Sequence, residues 1–185
     1  MHRRLSLRVV APLALSAALL AGSGAALAQA LPQPLVQAHS TLGLKETGAG
    51  RFRWFGLHVY DARLFAPAGK FSFAEPYALA LRYARDFQGS RIADTSTEEI
   101  ARLGFGTDAQ RAAWDAQMRK IFPDVKPGNE LVGLHLPGEG TRFFYDGKPV
   151  GEISDPEFAR AFFSIWLDPR TKATDLRASL LGEKR

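Results

Sequence analysis

The groups with the most chemical reach in this chain are two phenols and two guanidinium groups. They are Tyr60 and the run Arg82-Tyr83-Ala84-Arg85. A phenol can donate and accept one hydrogen bond, and a guanidinium offers a planar fork that matches a carboxylate. Arg82 stands among Ala78, Ala80 and Ala84. An arginine in apolar surroundings requires an anion, because its charge is costly to bury unpaired. Asp61 and Asp86 are the candidate partners within the chain, and an internal ion pair is preferred to a ligand contact. Downstream, Phe158, Phe162, Phe163 and Trp166 cover more than one helical stripe. Such a helix is buried on several sides or lines a cavity. Plain core is the commoner role of such rings. An apolar pocket carrying one basic group and one phenol suits a small amphipathic acid. The expected ligand-binding set is therefore Tyr60, Arg82, Tyr83, Arg85, Phe162 and Trp166.

Other chemistry is poorly served. His39, His58 and His135 each stand alone, without the spacing of metal ligands. Gly22-Ser23-Gly24 is no nucleophile elbow, and Gly48-x-Gly50 lacks the third glycine and following helix of a dinucleotide site. Asp155 and Glu157 read as acids of a first helical turn, where the helix dipole favours them. The chain has no cysteine, hence no disulfide, no thiolate metal site and no acylated lipoprotein cysteine. No catalytic residue, metal or cofactor is expected.

Three blocks of pattern position these groups. Thr41–Glu46 reads as a short strand, 47–50 as a turn, and Arg51–Phe65 as a long strand alternating in period two. After a loop at 67–75, Tyr77–Arg85 forms the next strand. It presents Leu79, Leu81, Tyr83 and Arg85 on one face and Ala78, Ala80, Arg82 and Ala84 on the other. The middle is helical, with capping boxes at Ser96-x-x-Glu99 and Thr107-x-x-Gln110 and a stop at Phe122-Pro123. Strands return at Glu130–Leu136, Thr141–Tyr145 and Lys148–Ile153, joined by Pro137-Gly138-Glu139-Gly140 and Asp146-Gly147. Ser154-x-x-Glu157 opens the aromatic helix, and a last helix spans Thr174–Leu181. This order predicts an α+β fold, an antiparallel sheet with helices packed on one face.

Residues 1–28 carry the marks of a cleaved secretory signal. Arg3, Arg4 and Arg8 precede an apolar run from Val9 to Leu20, and Ala26-Leu27-Ala28 supplies a small-x-small site. The run is about a dozen residues, short of the roughly 20 needed to span a bilayer. Residues 29–40 read as an extended lead-in and 41–185 as one domain, placed in the periplasm or outside the cell. Setting the three leader arginines aside reduces the formal charge from +5 to +2, weak ground for nucleic-acid or membrane binding.

Four stretches carry a resemblance. They are Gly56-x-His58-Val59-Tyr60-x-Ala62-x-Leu64, Tyr77-Ala78-Leu79-x-Leu81-x-Tyr83, Ile121-Phe122-Pro123-Asp124-Val125-x-x-Gly128, and the block from Gly147 through Gly151, Ile153, Asp155, Phe158, Ala159, Ala161, Phe162, Phe163, Ile165 and Trp166 to Leu167. Together they resemble the bacterial chalcone-isomerase-like family over about residues 41–182. The resemblance implies an antiparallel sheet backed by helices with a ligand cleft between them. The family includes true isomerases, which close a chalcone to a flavanone, and fatty-acid-binding proteins, which hold a carboxylate with arginine and tyrosine. The isomerases' arginine, threonine and tyrosine align near Gly43, Phe55 and Gly89, and their asparagine near Thr95 or Ser96. A phenylalanine cannot position water or donate a hydrogen bond. The catalytic set therefore does not carry over. Lys45, Arg82 or Arg85, with Tyr60 or Tyr83, are the available substitutes for a carboxylate holder.

The expected function is non-catalytic binding of a small apolar or amphipathic molecule such as a fatty acid, with no nucleic acid and no membrane insertion after cleavage. Two other readings stand beside it. One is an intramolecular lyase acting on a chalcone-like substrate. The other is an envelope structural or partner-binding protein, with a filled cleft and an exposed apolar patch.

Overall fold

A computed structural model describes residues 41–183; the leader and the lead-in lie outside them. The sheet has six antiparallel strands in sequence order: β1 (Leu44–Trp54), β2 (Leu57–Pro67), β3 (Tyr77–Tyr83), β4 (Glu130–Leu136), β5 (Gly140–Tyr145) and β6 (Lys148–Ile153). Helices α1 (Gly89–Arg102) and α2 (Asp108–Ile121) join β3 to β4, and α3 (Pro156–Leu167) and α4 (Thr174–Leu180) follow β6. This is the expected α+β arrangement.

The inner strands alternate between two apolar sides. Ala62, Leu64, Leu79, Leu81, Tyr83, Leu131 and Phe143 face the helices and merge with Ile100, Trp114, Met118 and the rings of α3. Leu44, Phe65, Ala78, Ala80, Val132 and Leu134 form a separate buried cluster. By alternation these residues lie on the opposite side of the sheet, so the alanine face of β3 does pack closely.

Helix α3 organises the core. Phe158, Phe162, Phe163, Trp166 and Leu167 are all buried. Phe162 touches Phe143, Phe163 and Trp166 at centroid separations of 5.4 Å each, and Phe163 meets Tyr77 at 4.9 Å. Gly133 in β4 makes room for this ring, since a Cβ there would meet Phe163 Cζ at 3.0 Å. Truncating one such ring to alanine typically costs about 3–5 kcal/mol.

Three local expectations are corrected. The β1–β2 turn is at Phe55-Gly56, and 47–50 continues strand β1 through a bulge between Glu46 and Gly48. Glycines at 48 and 50 read as a turn in sequence. In the fold their bare backbones let Ser179 and Leu180 of α4 approach β1. Helix α1 begins at Gly89, well before Ser96, whose hydroxyl donates to the Ile92 carbonyl inside the helix. The α3 cap is Asp155, not Ser154: its carboxylate accepts from the backbone N–H of Glu157 and Phe158. The Thr107–Gln110 box is formed as expected.

Asp155 also accepts from the Trp114 indole at 2.8 Å, tying α2 to the start of α3. Asp155→Ala therefore loses a cap and strands a buried indole N–H, and is expected to destabilise by about 2–4 kcal/mol. Asp155→Asn, which still caps, should lose clearly less. Urea unfolding of both variants checks this.

Candidate ligand-binding site

The six residues expected to bind divide into two groups. Tyr60, Tyr83, Phe162 and Trp166 come together between the sheet and α3. The Trp166 indole donates to the Tyr60 hydroxyl at 2.9 Å. Tyr60 stacks on Phe52 with centroids 5.0 Å apart and meets Tyr83 edge-on at 5.9 Å. Arg82 and Arg85 do not join them, and both are exposed. Arg82 alternates with Tyr83 and points to the other side of the sheet, where its cross-strand neighbours are Asp61 and Glu130. Arg85 follows the end of β3.

The rings at this end fill the space between α3 and the sheet. Burial pushes the phenols of Tyr60 and Tyr83 well above their ordinary range; at Tyr60 the indole hydrogen bond opposes the shift. A phenol held protonated donates hydrogen bonds but does not act as a base at neutral pH. The positions aligned to the isomerases' catalytic groups do not converge either. Gly43 and Phe55 flank the two ends of β1, more than roughly 30 Å apart at about 3.3 Å per strand residue. Gly89 lies so close to the Phe122 backbone that no side chain fits.

A hollow does open at the opposite end of the sheet, by the first turns of α3. This cleft of about 190 Å³ is lined by Phe73, Ala74, Tyr77, His135, Pro137, Gly138, Pro156 and Arg160. β3 and β4 set Tyr77 directly beside His135, with ring centroids 4.6 Å apart. Both side chains are buried, yet Tyr77 Oη and His135 Nδ1 have no hydrogen-bond partner. A buried polar group left unpaired costs about 1–3 kcal/mol. Burial pushes the Tyr77 phenol up, opposed by the Arg160 charge. Burial also pulls the His135 imidazole down, opposed by a backbone hydrogen bond to Gly140. Arg160 is exposed, and its guanidinium lies 3.5 Å above the centre of the Phe73 ring. A second hollow, of about 350 Å³, runs along the β4–β5 turn. Its charges, Glu139, Arg142 and Glu152, already face one another.

Sequence reasoning missed this cleft. In sequence His135 stands alone in its strand, and nothing marks Arg160. The available signal was period two: Tyr77 and Leu79 share a face, which places Tyr77 over the same layer as Tyr83.

The comparisons agree with this architecture. The family model described as chalcone isomerase-like matches residues 26–182. The chain belongs to the chalcone isomerase-like family. Among relatives of this chalcone isomerase-like protein, an uncharacterized protein of Haemophilus influenzae is 30% identical over 139 residues, covering 75% of this chain and 68% of its own length. Among solved structures, the Arabidopsis thaliana fatty-acid binding protein superposes with a TM-score of 0.60 at 12% identity, over 75% of this chain and 86% of its own. That likeness is one of fold.

Removing the Tyr60 hydroxyl strands the Trp166 indole. Tyr60→Phe should cost about 1–3 kcal/mol, and adding Trp166→Phe should cost less than the two single losses combined. Denaturant titrations of the four proteins measure the coupling. The buried phenols also set an alkaline limit. Their folded pKa lies above the unfolded value, so their contribution is intact below about pH 10 and is lost as pH rises further. Phenolate absorbance should therefore appear together with unfolding rather than before it.

Proposed function

We propose that this is an exported periplasmic protein that binds a small apolar or amphipathic molecule, such as a fatty acid, without transforming it. The observation that carries this reading is the cleft at the head of α3. There apolar walls meet polar groups that have no partner within the protein, the usual make-up of a small-molecule site. The shared fold with a fatty-acid binding protein supports it. So does the electrostatic state of the interior, where the phenols stay protonated and suit holding a guest rather than reacting with it. Of the residues first singled out, Tyr60, Tyr83, Phe162 and Trp166 pack together at the other end of the sheet and do not line this cleft. Arg82 and Arg85 stand outside it.

The partner-binding reading is favoured by one feature. Trp54, Phe55 and Leu57 are exposed at the β1–β2 tip, Phe55 to 88%. Phe55 holds a φ of 46°, where glycine or asparagine would sit without strain. A large ring kept there at a cost suits a contact surface.

Two measurements separate these readings. Native mass spectrometry of protein purified from cells expressing the full chain should show a retained lipid or acid, and a fatty-acid panel should raise Tm. A protein that is empty and shows no thermal shift with any acid contradicts the binding reading. Phe55→Asn should leave stability equal or higher. If it releases the protein from the envelope fraction while the acid panel stays silent, the partner-binding reading replaces the first. Cyclisation of a chalcone clearly above background would overturn both.

A further inference from the structure

We infer that the cleft at the head of α3 is a carboxylate-binding site, in which Arg160 supplies the charge and Tyr77 supplies a buried hydrogen bond. The inference rests on the binding reading for the class of guest, and adds which group of the guest is recognised and by what.

Three observations converge. First, Tyr77 and His135 are 0% and 6% exposed, and neither Tyr77 Oη nor His135 Nδ1 is partnered. Buried polar atoms are nearly always satisfied, so two orphans side by side on one cleft wall point to an outside partner. The Tyr77 O–H is a donor and calls for an acceptor, while the neutral His135 ring already spends its one N–H on the Gly140 backbone. Second, among the described residues no carboxylate lies within ion-pair distance of Arg160. Its charge is felt at Tyr77 and, more weakly, at Asp168, whose own partner is Arg170. The Phe73 ring holds the guanidinium plane at the cleft and leaves its fork free to grip an anion. Third, no acidic residue lines the cleft, and Phe73, Ala74, Pro137 and Pro156 give it apolar walls.

The charge count selects the anion. One cation balances a single negative charge, while a phosphate dianion would leave charge uncompensated. The helix N-terminus is not the attraction, because Asp155 already occupies its first free N–H groups. The small volume takes a carboxyl head and a short length of chain; a longer chain leaves by the open side. The same head comes from a fatty acid or from a free short-chain acid.

Isothermal titration of the protein purified from cells expressing the full chain tests this, with acetate, octanoate, palmitate and neutral methyl octanoate as probes. Octanoate should bind, and Arg160→Gln should weaken it by about tenfold or more, with Arg160→Lys in between. Tyr77→Phe should weaken octanoate several-fold while leaving Tm equal or higher, since the hydroxyl has no partner to lose. Methyl octanoate should not distinguish wild type from Arg160→Gln. A loss at Arg160→Gln shared by acetate identifies a free short acid as the guest, and one confined to octanoate and palmitate identifies a lipid. Octanoate binding that is the same in wild type and Arg160→Gln overturns the inference but leaves general binding standing. A wild-type protein that binds none of the four probes overturns both.

Discussion

The structure depends on enclosing one helix whose exposed charges are confined to Glu157 and Arg160 near its start. Helix α3 buries Phe158, Ala159, Ala161, Phe162, Phe163, Ser164, Trp166 and Leu167, so the sheet, α1 and α4 have to surround it. A helix with so wide an apolar surface has no stable position without cover on several sides. Its two ends are pinned by polar contacts: Asp155 caps the first turn and takes the Trp114 indole, and Trp166 near the last turn donates to Tyr60. Between those pins the rings pack edge to face against Tyr77 and Phe143 and at a tilt against Phe122. Gly133 and Gly89 follow from the same demand, because each gives up a side chain where another group must come close.

Enclosure of this kind governs where a guest can go. At the Trp166 end rings meet rings, and the one polar bond is internal. At the other end Pro156 starts the helix and α3 no longer covers the sheet completely. The strand ends at Tyr77 and His135 are thus buried without being bonded. The orphaned polar atoms arise from the geometry of the helix start and not from a motif.

Order and type of the elements were legible because they rest on local patterns. Period-two alternation marks β3, and the Thr107–Gln110 box marks the start of α2. Boundaries failed where tertiary packing overrode local chemistry. Gly48 and Gly50 look like turn residues, yet their bareness serves the approach of α4. Ser96 looks like a cap, yet it sits mid-helix with its hydroxyl turned back to Ile92. Four of the six residues first grouped come together in the fold for a similar reason. Tyr60, Tyr83, Phe162 and Trp166 follow from face and period, while the roles of Arg82 and Arg85 turn on which side of the sheet β3 shows to the helices. Arg160 and His135 are ordinary in sequence. Only the pairing of Tyr77 with His135, and the placing of Arg160 over Phe73, makes them neighbours.

The central claim is that a guest's polar head rests against Tyr77 and His135 while its chain leaves past Phe73 and Pro137. Nuclear Overhauser contacts between bound octanoate and the protein's aromatic protons test it most directly. The account predicts contacts from the octanoate methylenes to Tyr77, His135 and Phe73, and none to Tyr60 or Trp166. Contacts confined to Tyr60, Tyr83 and Trp166 would contradict it, because the guest would then lie in the end of the sheet where rings now fill the space.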